Sequence, residues 1–215
     1  MPFELGRPFG VPDDAAFQTR VLKDVLKLLE AESGPLLVDF PDEAPTGAPS
    51  AEEDEGWACP VNLPPPASAK DDLVVAVRAE TALLAPWYDL AIEARGRTTA
   101  DSTGLDIDAL IDGLASYLES DPESPLDGTP AGVALNLIAE DLKAFYMEAA
   151  TARTPNDSFH QIRDWFWHQT SASRLYHAVR ASRMESADEL TRTVAERLIV
   201  PVHEWERTAE LVGGS

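Results

Sequence analysis

Residues 157–184, DSFHQIRDWFWHQTSASRLYHAVRASRM, hold the densest concentration of rings in the chain: Trp165, Trp167, His160, His168 and His177. Asp157 or Ser158 suits a helix N-cap, because a short oxygen side chain accepts a backbone N–H that the first turn leaves unpaired. No Gly or Pro follows before Pro201, so the pattern predicts one helix running at least to Arg183. At about 100° per residue, Ile162, Trp165, Phe166, Ala172, Tyr176 and Val179 share one broad face, while Trp167 points away from its centre. A helix with Trp on both sides is usually buried on both sides. The stretch therefore predicts the central helix of an all-α bundle, with the other helices packed around it.

Working outward, five further segments repeat at helical spacing. Val21, Leu22, Val25, Leu28 and Leu29 mark a first helix that starts near Pro12-Asp13-Asp14 and stops near Ser33-Gly34-Pro35. Leu73, Val77, Leu84 and Ala91 form the stripe of a second, over 71–95, with Pro86 inside it. A third covers Asp106 to Leu118. A fourth opens at Pro130 and aligns Leu135, Ile138, Leu142, Phe145, Tyr146 and Ala149. The last begins after Ser186-Ala187-Asp188-Glu189, which has the form of a capping box, and carries Leu190, Val194, Leu198 and Trp205, with a kink at Pro201. The fold expected is a single all-α domain over 1–215, a bundle of about six helices.

Two segments stand apart. Residues 1–12 read as an extended arm, since their prolines and glycines exclude a helix. Residues 41–69 form a long Pro-rich acidic loop, leaving 71–211 as the main bundle. LLVDF at 36–40, bracketed by Pro35 and Pro41, reads as an extended stretch packed on the helices.

Thirty-eight acids against seventeen bases give a formal charge of −21. That field repels phosphate backbones and anionic lipid surfaces, which argues against nucleic-acid or membrane binding. It suits a basic partner or simply solubility. Cys59 is the only cysteine, so no internal disulfide forms, and a buried inert thiol is its ordinary reading. No apolar run reaches the roughly 18 residues of a membrane span. The first residues lack the basic start and apolar core of a signal peptide, so a cytoplasmic location is expected.

Glu80 is the most telling single residue, because it falls within an apolar stripe between Val77 and Leu84. A carboxylate there needs a cation, a metal or hydrogen-bond donors. An arginine such as Arg163, Arg174 or Arg180 would serve. Asp141 and Glu148 lie seven apart on the margin of the fourth helix's apolar face. Asp164 and His168 lie four apart on the ring-rich helix, where an ordinary carboxylate–imidazole pair is the plainer reading. His160, His177 and His203 fall outside the apolar faces and read as surface residues.

Acids and a histidine from facing helices are how bundles hold paired iron or manganese ions. The set Glu80, Asp141, Asp164 and His168 resembles that of the heme-oxygenase-like metal oxidases. The resemblance implies an Fe or Mn site; Glu148 joins the candidate ligands by its place on the fourth helix, outside the resemblance. It departs from the family where an early histidine is wanted, since Trp87 stands seven residues after Glu80. The common nucleotide, hydrolase and zinc motifs are absent from the sequence. Two functional expectations follow. The first is an acidic accessory or interaction protein, a companion subunit or chaperone-like binder that grips a protein partner through Phe3, Phe9 and Trp57 on its Pro-rich segments. The second is the metal-dependent oxidase.

Overall fold

A computed structural model of the chain describes residues 14–42, 63–66, 70–152, 159–206, 208 and 211. Seven α-helices and no strand occur among them. The residues divide into two compact units, Met1–Gly56 and Trp57–Ser215. The arm 1–12, most of the loop 41–69, and with them Phe3, Phe9, Trp57 and Cys59, lie outside the described residues.

In the first unit, α1 spans Ala15–Lys27. Asp14 is its N-cap and accepts a 3.0 Å hydrogen bond from the Phe17 N–H. Phe17 and Val21, one turn apart, are buried, and Phe40 meets the Phe17 ring edge to face at 6.0 Å. The stretch 36–40 forms neither helix nor strand, and it packs through its last residue. Leu36, Leu37 and Val38 stay exposed. On α1, Leu22, Val25 and Leu26 are exposed as well, as is Leu29 in the 3₁₀ turn Leu28–Glu30 that follows.

The second unit contains α2 (Lys70–Arg95), α3 (Ile107–Ala115), α4 (Ala131–Thr151), α5 (Phe159–Gln169), α6 (Ser171–Arg183) and α7 (Glu189–Arg197). Its core joins Leu84, Ile111, Leu135, Ile138, Leu142, Trp165 and Tyr176. The central position belongs to α4, which meets α2, α3, α5 and α7 and is apolar over most of its circumference. Leu63 of the long loop packs against this core.

The ring-rich stretch is two helices, not the single one its lack of Gly and Pro suggests. Thr170 adopts an extended backbone, φ −108 and ψ 151, between α5 and α6. Its hydroxyl donates to the Phe166 carbonyl at 2.7 Å and accepts from the Ser173 N–H at 3.1 Å. Ser173 Oγ donates to the Trp167 carbonyl at 2.6 Å. The hydroxyls of TSAS thus take over the carbonyls and N–H groups that a continuous ladder would have paired. Trp165, Phe166 and Trp167 are all buried as expected, with Phe166 edge to face against Trp167 at 5.0 Å and Tyr176 at 5.7 Å. Azimuths do not carry across the break, and His177 is the casualty. It is fully buried rather than on the surface, with Nδ1 2.8 Å from Thr208 Oγ1.

The last segment also departs from its pattern. Asp188, not Ser186, caps α7 by accepting from the Thr191 N–H at 2.8 Å. Ser186 donates instead to Asp121 at 2.7 Å. No single kinked helix reaches Trp205, because α7 ends at Arg197 and a separate 3₁₀ turn, Val202–Glu204, follows Pro201.

Candidate functional site

Glu80 comes from the inward face of α2 and has no solvent exposure. Its carboxylate accepts from the Tyr146 hydroxyl at 2.8 Å, the Ser171 N–H at 2.6 Å and the Ala172 N–H at 3.3 Å. The two N–H groups belong to the first turn of α6, where the peptide dipoles concentrate positive charge. The expected arginine is therefore replaced by a helix end. Burial pushes the Glu80 carboxyl above its ordinary range, against the pull of Ser171, Tyr146 and Ala172. Tyr146 is pushed well above the usual phenol value by its own burial and by Glu80.

Asp141 and Glu148, two turns apart on α4, hold the loop between α2 and α3. Asp141 accepts from the backbone and hydroxyl of Ser102 and of Thr103, with the two Thr103 bonds at 2.8 and 2.7 Å. Glu148 accepts from the Thr99 N–H at 2.8 Å, the Thr99 hydroxyl at 2.7 Å and the Thr98 hydroxyl at 3.0 Å. Each acid secures one dipeptide of the loop. For Asp141, burial raises the carboxyl, but the four donors together outweigh it and hold the group below its ordinary value.

The remaining pair separates. His168 is exposed, with Nε2 3.1 Å from Glu204 Oε1, and Asp164 accepts from Arg163 Nε at 2.9 Å. The five residues do not converge on one point. Among the described residues, no group of three or more His, Cys, Asp and Glu side chains could hold a metal ion.

No family model, curated protein or solved structure matches this chain.

The outward side of α2 is the least expected feature. Val75, Ala79, Ala82, Leu83, Pro86 and Leu90 all lie exposed, with Val75 at 67%, Leu83 at 46% and Leu90 at 49%. Their spacing places them within an arc of about 100° that runs about 22 Å along the helix. The opposite arc, through Leu73, Val77 and Leu84, is buried in the core. A helix apolar on both sides is normally covered on both sides; among the described residues this one is covered on one. Asp89 borders the outward stripe and Glu93 ends it, both exposed. Arg78, on the Asp89 side, is held by Asp108 and Asp112 of α3.

Sequence reasoning missed this stripe because the inward set was read as the helix's only face. A second set at spacings of three and four, offset by half a turn, was the available signal. It also missed Thr98, Thr99, Ser102 and Thr103 as partners of the two acids. Those hydroxyls form two clusters, matching two carboxylates seven residues apart.

Proposed function

We propose that this chain is an acidic interaction protein, a companion subunit or chaperone-like binder of another enzyme, rather than a metal-dependent oxidase. The observation that carries the reading is the exposed stripe Val75–Leu90 on the bundle's longest helix. Contiguous apolar surface of this kind, rimmed by charge, marks interaction sites. The exposed Leu22, Val25 and Leu26 of α1, at i, i+3 and i+4, add a second surface of helix-anchor type, with Leu29 exposed in the 3₁₀ turn that follows. The buried acids support the same reading. Glu80, Asp141 and Glu148 face N–H and O–H donors that fix a helix end and a loop.

The test is site-specific photo-crosslinking in cells of the protein's own origin. A photoreactive residue at Leu83 should give one discrete protein adduct, identified by mass spectrometry, and the same residue at exposed Glu119 should not. Absence of an adduct at Leu83, or identical adducts at both positions, would remove the interaction reading.

A further inference from the structure

Resting on the interaction reading, the geometry points to a basic amphipathic helix of another protein as the occupant of the α2 stripe. The stripe is straight enough in register to receive helix anchors. Val75, Ala79, Ala82, Leu83, Pro86 and Leu90 repeat at four, three, one, three and four residues. Ala79, Ala82 and Pro86 are low points between the taller Val75, Leu83 and Leu90, so side chains at i, i+3, i+4 and i+7 of a facing helix have depressions to enter.

Charge decides which helix. Asp89 and Glu93 are exposed at the border and end of the stripe, while Arg78 is paired with Asp108 and Asp112. The rim is acidic, and the whole chain carries a formal charge of −21. A second copy would bring acidic rim against acidic rim and add its own negative field. A partner with Lys or Arg flanking its apolar anchors gains attraction in the same place, and is steered toward it from a distance. Desolvating the stripe supplies the holding energy, and the rim selects the partner by sign.

The experiment uses the full-length protein and a synthetic peptide of Leu and Lys, about five turns long, with Leu at helical anchor spacing. A scrambled peptide of the same composition serves as control. Mixing with the patterned peptide should induce helical circular dichroism, and Leu83→Gln/Leu90→Gln should weaken its binding at least about tenfold. The variant's own melting temperature should hold, since the changed side chains are half exposed. Asp89→Asn/Glu93→Gln should weaken binding less and flatten its dependence on salt, because about 1 M salt screens rim charges already removed. Equal binding of both peptides, or binding indifferent to Leu83 and Leu90, would overturn the assignment. So would a free protein that sediments as a dimer in the wild type and a monomer in Leu83→Gln/Leu90→Gln, which would make a second copy the occupant. An adduct at Leu83 together with no peptide binding would overturn the basic helix alone and leave the interaction reading standing.

Discussion

Tyr146 of α4 donates a 2.8 Å hydrogen bond to Glu80 of α2, and neither residue has any solvent exposure. Glu80 in turn accepts from the first N–H groups of α6, so one carboxylate ties three helices together at the centre of the bundle. Glu80→Gln replaces one acceptor oxygen by an NH₂ that faces donors. At least one of Tyr146, Ser171 and Ala172 is then left without a partner. A buried donor left unsatisfied costs about 1–3 kcal/mol, which in a protein of this size lowers the melting temperature by about 2–4 °C per kcal/mol. Tyr146→Phe removes one donor and leaves the two N–H groups in place, so it should cost less. Thermal melts followed by circular dichroism check the order; a Tyr146→Phe change more damaging than Glu80→Gln would count against the helix-end account.

Metal addition separates the two functional readings independently of the stripe. A cation that binds the folded state raises the melting temperature by mass action. With Glu80, Asp141 and Glu148 engaged by donors, added Mn(II) or anaerobic Fe(II) should leave the wild-type melt unchanged. A rise in the wild type that disappears in Glu80→Gln would restore the oxidase reading.

Stability should decline at both extremes of pH, for opposite reasons. Tyr146 and Tyr176 are pushed well above the ordinary phenol range, and Tyr117 to about 12, in each case first by burial. A folded value raised above the unfolded one gives stability that is whole below about pH 10 and is lost as pH rises toward the folded values. Phenolate absorbance from these tyrosines should therefore appear together with loss of helical signal, not before it. Asp141 is shifted the other way, below 3.8. Its contribution is present above that value and fades as pH falls through the folded one. Asp141→Asn should flatten the acid limb and leave the alkaline limb unchanged.

The helical class and the inward residues of α2 and α4 were legible because apolar side chains recur at helical spacing, and the core confirms Leu73, Val77, Leu84, Leu135, Ile138 and Leu142. The break at Thr170 was not legible from breakers alone. Serine and threonine interrupt a helix by offering local hydrogen bonds, and whether they do depends on what else those backbone groups can pair with. Here Glu80, far away in sequence, takes the N–H groups of Ser171 and Ala172. Glu80 itself was legible as an anomaly, a carboxylate in an apolar stripe. Its partner was not, since a helix end has no residue type to search for. His168 shows the same limit: four residues from Asp164 in sequence, it meets Glu204 instead.

At Gly132, near the start of α4, the backbone of α7 comes close. A Cβ placed there would lie 2.5 Å from the Thr191 backbone nitrogen and 2.6 Å from the Leu190 carbonyl carbon. Backbone cannot rotate aside, so Gly132→Ala must push α7 away and disturb the Asp188 cap beside it. Overpacking of this kind costs about 1–3 kcal/mol, against a gain of about 1 kcal/mol in helix propensity. Gly113 in α3 provides the contrast. Its added Cβ would meet the Ile138 Cδ1 at 2.9 Å, the far end of a side chain that can turn away. Gly113→Ala should therefore leave the melting temperature near the wild type or raise it, and Gly132→Ala should lower it. Hydrogen exchange locates the damage: amides of 189–197 should lose protection in Gly132→Ala and keep it in Gly113→Ala. Equal melts for the two variants, or protection lost outside α4 and α7, would show that the close approach at Gly132 is not what seats α7 on the bundle.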